Sequence, residues 1–501
     1  MKYLQSTFAL LTILAVSIAQ GNTEKKLNVL WLIIDDQSPW HSIYGNDLVK
    51  TPHIDKLANR GVLFTRAYSE SPVCSPSRSA LITGSHAIRL GTHDHRSSRT
   101  KENQIFLPEN FKTAPEVFRE NGYETYNSGK DDYNFFYKKS DLYSIMDSKV
   151  ENKLAKYGKS GQGSGDWSDI KSQKPFFGQV RVSGGKDVGD QLPDLLAKSG
   201  YPVVKASQVT VPPQYPDIHE MRYNIAMHMN SVMQTDIEIG KILSRLERDG
   251  LTDKTIIFVF ADHGSDLPRS KEFCYSEGLH VPLIISVPES IEGIESGTVR
   301  GDLVSLIDVT GTSLGLTNQN IPESMDTLNV FDKSYNREYV FSASDRSANV
   351  IDRVRSVMGK RYHYIKNYKL DRPLFNYGHR EMMAIDYPDS KYGYFAKLRS
   401  MYEDGLLNEI QATPFGDRTA EELYDLQNDP NETVNLASDK NHTEELIAMR
   451  VALAGWIEET GDKGAIKRSS KSLVEAVGRI PPHWLKSPEF LDFFDEIQPA
   501  P

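Results

Sequence analysis

Two runs of apolar β-formers, each ending abruptly in acid, constrain the fold of this chain more than any other feature. Leu27-Asn28-Val29-Leu30-Trp31-Leu32-Ile33-Ile34 runs straight into Asp35-Asp36, and Thr255-Ile256-Ile257-Phe258-Val259-Phe260 into Ala261-Asp262-His263-Gly264. A strand covered on both faces reads as an unbroken apolar run rather than an alternation. A third such run covers Val281 to Val287. Between them lie patterns at helical spacing: Met221 to Leu246, with Gly250 near its end, and Thr113 to Glu120, closed by Asn121-Gly122. Strands alternating with helices predict an α/β fold, a large central mixed sheet flanked by helices. Acidic residues at the carboxyl ends of such strands sit where open α/β sheets place their ligands.

The stretch 138–216 is rich in Gly, Ser, Lys and Asp and reads as long surface loops over the site. After Ser344 the pattern changes. The β-formers of Arg355 to Asn367 flank a Gly359-Lys360 turn, as in an antiparallel hairpin, and a helix is expected from Thr443 to Thr460. The 501 residues are enough for one large domain and a smaller one. The expected division is a signal peptide at 1–19, a catalytic domain at 25–345 and a C-terminal α+β subdomain at 346–501.

The signal peptide rests on Lys2, the apolar run Phe8 to Ile18, and the small-residue site Ser17-Ile18-Ala19. The run is short for a bilayer span. Export with cleavage, to the periplasm or the medium, is therefore expected, with no membrane span. Only Cys74 and Cys274 are present, too few for a disulfide framework, so the fold must stand on its core. A formal net charge of −10 argues against a nucleic-acid partner. It does not exclude a local basic cluster for a smaller anion.

The segment that carries chemistry is Ser71-Pro72-Val73-Cys74-Ser75-Pro76-Ser77-Arg78-Ser79-Ala80-Leu81-Ile82-Thr83-Gly84. Pro76 suits an early helical position and Gly84 a helix end. That places Cys74 at a helix N-terminus, where free amides and the helix dipole favour an anion. Arg78, one turn on, adds a forked donor. Taken alone, Cys74 reads equally as a buried structural thiol beside a capping turn. Asp35-Asp36 and Asp262 are likewise either a solvated acidic loop or a site in which a cation relieves carboxylate repulsion.

The full string resembles the signature of the formylglycine-dependent sulfatases, Cys-x-Pro-Ser-Arg followed by Leu-x-Thr-Gly, with every fixed position met. The resemblance runs from about Leu27 to Leu436 and implies an alkaline-phosphatase-like fold. It implies that Cys74 is oxidised to formylglycine by a formylglycine-generating or anaerobic sulfatase-maturating enzyme, which disfavours a Cys74–Cys274 bridge. The hydrated aldehyde would be the nucleophile. Asp35, Asp36, Asp262, His263 and residue 74 would hold Ca²⁺, with Mg²⁺ second; the family commonly carries an Asp-Asp strand end and a later Asp-Asn-Gly or Asp-His-Gly. Lys130, in Gly129-Lys130, and Lys271 match the family's sulfate-contacting cations, and with Cys74 and Arg78 complete the expected catalytic set.

The chain departs from the family twice. Asp132 stands where a His usually follows the Gly-Lys motif, and Ser183-Gly184-Gly185-Lys186 replaces a later His. Asp132 is thus a candidate partner of the hydrate, and Lys186 a candidate leaving-group donor or substrate contact. His86, His93 and His95 follow the nucleophile segment as further candidates, His95 being taken as substrate-binding. Glu422 to Leu436 looks like the family's C-terminal structural element, and Asn431 and Asn441 lie in N-x-Thr sequons. The substrate implied is a sulfated carbohydrate. An algal galactan such as carrageenan is favoured, and a glycosaminoglycan of heparan type second. A phosphatase or phosphonate hydrolase on the same scaffold and a catalytically silent carbohydrate-binding relative are the competing readings.

Overall fold

The structure is a computed structural model, and it describes residues 26–96, 104–146, 163–347, 350–375, 393–462 and 464. The expected signal peptide and residues 465–501 lie outside the described residues. Among the described residues no helix is long and apolar enough to cross a membrane.

The strands are β1 (Asn28–Ile34), β2 (Gly61–Tyr68), β3 (Glu124–Ser128), β4 (Phe176–Val182), β5 (Thr255–Ala261), β6 (His280–Ser286), β7 (Thr298–Arg300) and β8 (Val304–Ser305). They form one sheet in the order β3-β4-β1-β5-β6-β2-β7, with β8 also on β2. β3, β4, β1 and β5 are mutually parallel, whereas β6 runs antiparallel to both β5 and β2. The mixed α/β sheet expected from the apolar runs is the architecture of the protein. Every residue of β1 and of β5 is buried, which explains why both read as continuous apolar runs. Trp31 locks the centre: its ring meets Phe177 edge-on at 4.8 Å and Phe260 at 5.8 Å, and its indole N–H donates to Ser313 at 2.9 Å.

The expected helices form with small changes of boundary. The long one spans His219–Arg248. Ala114–Glu120 starts at a capping box in which Thr113 and Glu116 exchange hydrogen bonds. Cys74–Thr83 ends at Gly84, whose φ of 59° is the left-handed geometry that glycine adopts most easily.

A second, antiparallel sheet follows, in the order β12-β11-β10-β9: β9 (Val340–Ser347), β10 (Val350–Met358), β11 (Tyr362–Asn367) and β12 (Glu421–Asp425). The expected hairpin is β10–β11, and β9 runs across the 345/346 division. Helix Thr443–Thr460 covers this sheet through Leu446, Met449, Leu453 and Trp456, which pack on Val357, Tyr364 and Leu423. The two units meet closely at β9: the Ala343 N–H donates to the Glu70 carbonyl at 3.0 Å, and the Ser342 hydroxyl donates to the Ser69 carbonyl at 2.7 Å.

Candidate active site

The carboxyl ends of β3, β4, β1 and β5 open on one side of the sheet, and each delivers a polar group there. β1 and β5 are paired with Ile34 beside Ala261, so their acidic ends arrive side by side. Asp36 takes left-handed backbone, φ 53°, and its N–H donates to Asp262 Oδ1 at 3.1 Å. Helix Cys74–Thr83 is buried along its whole length and points its first residue at the same place. Val73, at its N-cap, makes no side-chain cap hydrogen bond.

One ligand atom from each of Asp36, Cys74, Asp262 and His263 falls within 4.8 Å of all the others. The Cys74 sulfur is 3.3 Å from His263 Nε2 and 3.7 Å from Asp36 Oδ1. His263 Nε2 is 3.2 Å from Asp36 Oδ1 and 3.7 Å from Asp262 Oδ1. His263 Nδ1 faces the Gly264 carbonyl at 3.0 Å. A carbonyl only accepts, so Nδ1 is assigned the proton and Nε2 turns toward the carboxylates. That is the orientation second-shell bonding imposes on a metal-ligating histidine. Burial pulls the His263 imidazolium down, but Asp262, Cys74 and Asp36 outweigh it and push the group up to about 10. Extra positive charge is therefore favoured where these donors converge. Two carboxylates, an imidazole and residue 74 are a donor set that fits a divalent cation.

Asp35 stands one step back from this group. Arg78 Nη2 and Lys130 Nζ, the latter at 3.1 Å, share its Oδ1, and Arg181 Nε donates to its Oδ2 at 2.8 Å. The sequence groups Asp35 with the metal ligands; here its carboxylate is engaged by three cations, and the four-residue cluster forms without it. Arg78 reaches both strand ends, since its Nε also donates to Asp262 Oδ2 at 2.8 Å. Burial raises Asp262, yet Arg78, His263 and Lys130 hold it far below the usual carboxylate range. Asp36 follows the same pattern, with Lys271, His263 and Lys186 outweighing burial. Lys271 Nζ meets Asp36 Oδ2 at 2.5 Å. Burial would raise the Cys74 thiol, but Lys130 and Lys271 outweigh it and the repulsion of Asp262 and Asp36, and the net shift is downward. Position 74 is thus a place where an anion is stabilised.

The other candidates divide. Asp132 takes left-handed backbone, φ 56°, with its oxygens 3.8 Å from Lys130 Nζ and 3.9 Å from Arg96 Nε. Lys186 is half-buried on the turn after β4 and close enough to depress Asp36. His86 is turned away: its Nδ1 bonds Glu70 at 2.7 Å and its ring meets Trp456 edge-on. His93 Nε2 is 3.1 Å from Asp345. His95 is buried, and its backbone is tied to Arg346. Cys74 and Cys274 are both free thiols. Sequence reasoning missed Arg181; its signal is a charged residue inside a largely apolar strand, one residue before the end of β4.

The sulfatase family model matches residues 27–319. An ulvan-active sulfatase of the bacterium Formosa agariphila is 29% identical over 490 residues, covering 89% of this chain and 78% of that one. Human N-sulphoglucosamine sulphohydrolase is 23% identical, covering 87% of this chain and 90% of its own. Among solved structures, Ps i-CgsB in complex with k-i-k-neocarrahexaose superposes with a TM-score of 0.59 at 14% identity, covering 92% of this chain and 100% of that one.

Proposed function

The chain belongs to the sulfatase family, and from that premise we propose that it removes sulfate from an algal polysaccharide, using a formylglycine at position 74 and a bound Ca²⁺. The observation that carries this reading is the convergence of Asp36, Asp262 and His263 on the first residue of a buried helix. Ulvan has the stronger support as substrate, because a relative named for it resembles this chain over most of both lengths. The carrageenan expected from the sequence has behind it a likeness of fold at 14% identity, and a heparan-type substrate the more distant human relative. Export through a cleaved 1–19 and oxidation of Cys74 by a maturating enzyme belong to the same reading.

A divalent cation held by Asp36, Asp262, His263 and residue 74 supplies positive charge that polarises the sulfate ester. A hydrated aldehyde at position 74 supplies one hydroxyl to attack sulfur, and a second whose collapse expels sulfate and restores the aldehyde. The residues of the chain do the rest. Arg78 holds Asp35 and Asp262 in place from within the helix. Lys130, against Asp35, and Lys271, against Asp36, place positive charge beside position 74 and would stabilise the charge that builds on the sulfate oxygens. Lys186 is the candidate donor of a proton to the departing sugar oxygen, with Asp132 beside Lys130 as the other titratable group.

The test is sulfate release by the protein co-produced with a formylglycine-generating enzyme, on ulvan, carrageenan, heparan sulfate, and paired aryl sulfate and aryl phosphate. Release from at least one polysaccharide, preference for aryl sulfate, and loss of about tenfold or more on chelation with recovery in Ca²⁺ are expected. Faster turnover of aryl phosphate, or indifference to chelation, would contradict the reading.

A further inference from the structure

The strip Thr92 to Arg96, just beyond the nucleophile helix, is pinned from three sides. From below, the Asn134 side-chain amide donates to the carbonyls of Thr92, at 2.9 Å, and Asp94. From β9, the Arg346 carbonyl accepts the His95 N–H at 3.0 Å, and the Arg346 guanidinium donates back to the His95 carbonyl. From the helix, Ser75 Oγ accepts the Arg96 N–H at 3.0 Å, one residue from the nucleophile. Arg96 itself takes left-handed backbone, φ 58°. A non-glycine residue keeps that conformation only where its surroundings over-determine it.

This scaffolding holds one side chain outward. Thr92, His93, Asp94 and His95 are buried, whereas the Arg96 side chain is 38% exposed. Its Nε lies 3.9 Å from Asp132 Oδ1, and the other Asp132 oxygen lies 3.8 Å from Lys130 Nζ. The guanidinium therefore stands two ion pairs from Asp35, at the edge of the site. Three interior cations are committed: Arg78 to Asp35 and Asp262, Lys130 to Asp35, Lys271 to Asp36. Arg96 meets Asp132 at the limit of ion-pair distance, and among the described residues its Nε makes no hydrogen bond, which leaves donor capacity of the fork to a ligand. A solvated surface arginine would not need a left-handed backbone tied to the nucleophile helix.

We infer that Arg96 determines specificity by binding a second anionic group of the saccharide, an oxoanion on the sugar that carries the scissile sulfate or on its neighbour. A planar guanidinium matches carboxylate and sulfate oxygens equally well. The inference rests on the site being a sulfatase centre. Arg96→Gly removes the side chain while suiting φ 58°, so loss of the fold is not at issue. Arg96→Lys keeps the charge without the fork.

The full-length, matured protein is compared with both variants on oligosaccharides of one backbone. These carry a single sulfate, a sulfate with a uronate carboxylate, or two sulfates. For Arg96→Gly, KM should rise about tenfold more on at least one doubly anionic substrate than on the singly sulfated one, with Arg96→Lys intermediate. The arm that shows the rise tells carboxylate from sulfate. Equal effects on all three would overturn the inference alone. Absence of sulfate release by the wild-type protein from every substrate would overturn the sulfatase reading and this inference with it.

Discussion

Cys74→Ala is expected to abolish sulfate release, with a loss of about 10⁴-fold or more, while the protein stays folded. Residue 74 is the first residue of the helix and meets the converging Asp36, Asp262 and His263, and alanine has no oxygen or sulfur with which to attack. Around it, Arg78 keeps its bonds to Asp35 and Asp262, and Lys271 its bond to Asp36. The cavity left by one sulfur in a buried position costs about 1 kcal/mol. The variant should therefore unfold near the wild-type denaturant midpoint and still bind a sulfated oligosaccharide in calorimetry. Turnover that survived the substitution would remove residue 74 from the chemistry.

The second large effect concerns stability. Arg78→Met leaves two carboxylates, Asp35 and Asp262, without their guanidinium, and both side chains are 0% exposed. Breaking a buried pair from one side costs about 3–5 kcal/mol, because the remaining charge has lost its counter-charge. Lys130 and Arg181 soften this at Asp35, whereas Asp262 keeps Lys130 at 3.6 Å and His263 at 3.7 Å. Urea unfolding in the presence of a chelator should show the full loss. Added Ca²⁺ should restore more stability to the variant than to the wild type, since a cation supplies the missing charge. A loss below about 1 kcal/mol would mean that Arg78 is not what neutralises the strand ends.

How far these roles could be read from the chain depends on the range of the interaction. β1 and β5 declare themselves because burial on both faces leaves continuous apolar runs, and their acidic ends follow directly in sequence. The nucleophile helix is legible through Pro76 and Gly84, which act within one turn. β2 gives no such signal: Thr65 and Arg66 interrupt it at a register shift against β6. The antiparallel direction of β6 depends on the return of the 263–279 excursion, which no local pattern encodes.

Side-chain partners across the chain were harder still. His86, His93 and His95 look equivalent in sequence, yet His86 bonds Glu70, His93 lies against Asp345, and His95 is tied through its backbone to Arg346. The C-terminal element Glu422 to Leu436 reads as structural, but its contact is specific. Glu432 accepts from the Ser276 N–H at 2.8 Å and its hydroxyl at 2.9 Å, and Arg269 donates to the Glu432 carbonyl at 2.9 Å. That element thus ties down the loop that carries Lys271. Arg96 and Arg181 escaped notice for the same reason, since their meaning lies in Ser75 and Asp35, far off in the chain.

The whole account turns on what residue 74 is when the site is at work. Mass spectrometry of the peptide spanning Ser71 to Arg78, from protein made alongside a formylglycine-generating enzyme, measures it directly. The account predicts the mass of an aldehyde, or of its hydrate, at position 74. An intact cysteine thiol in protein that releases sulfate would contradict it.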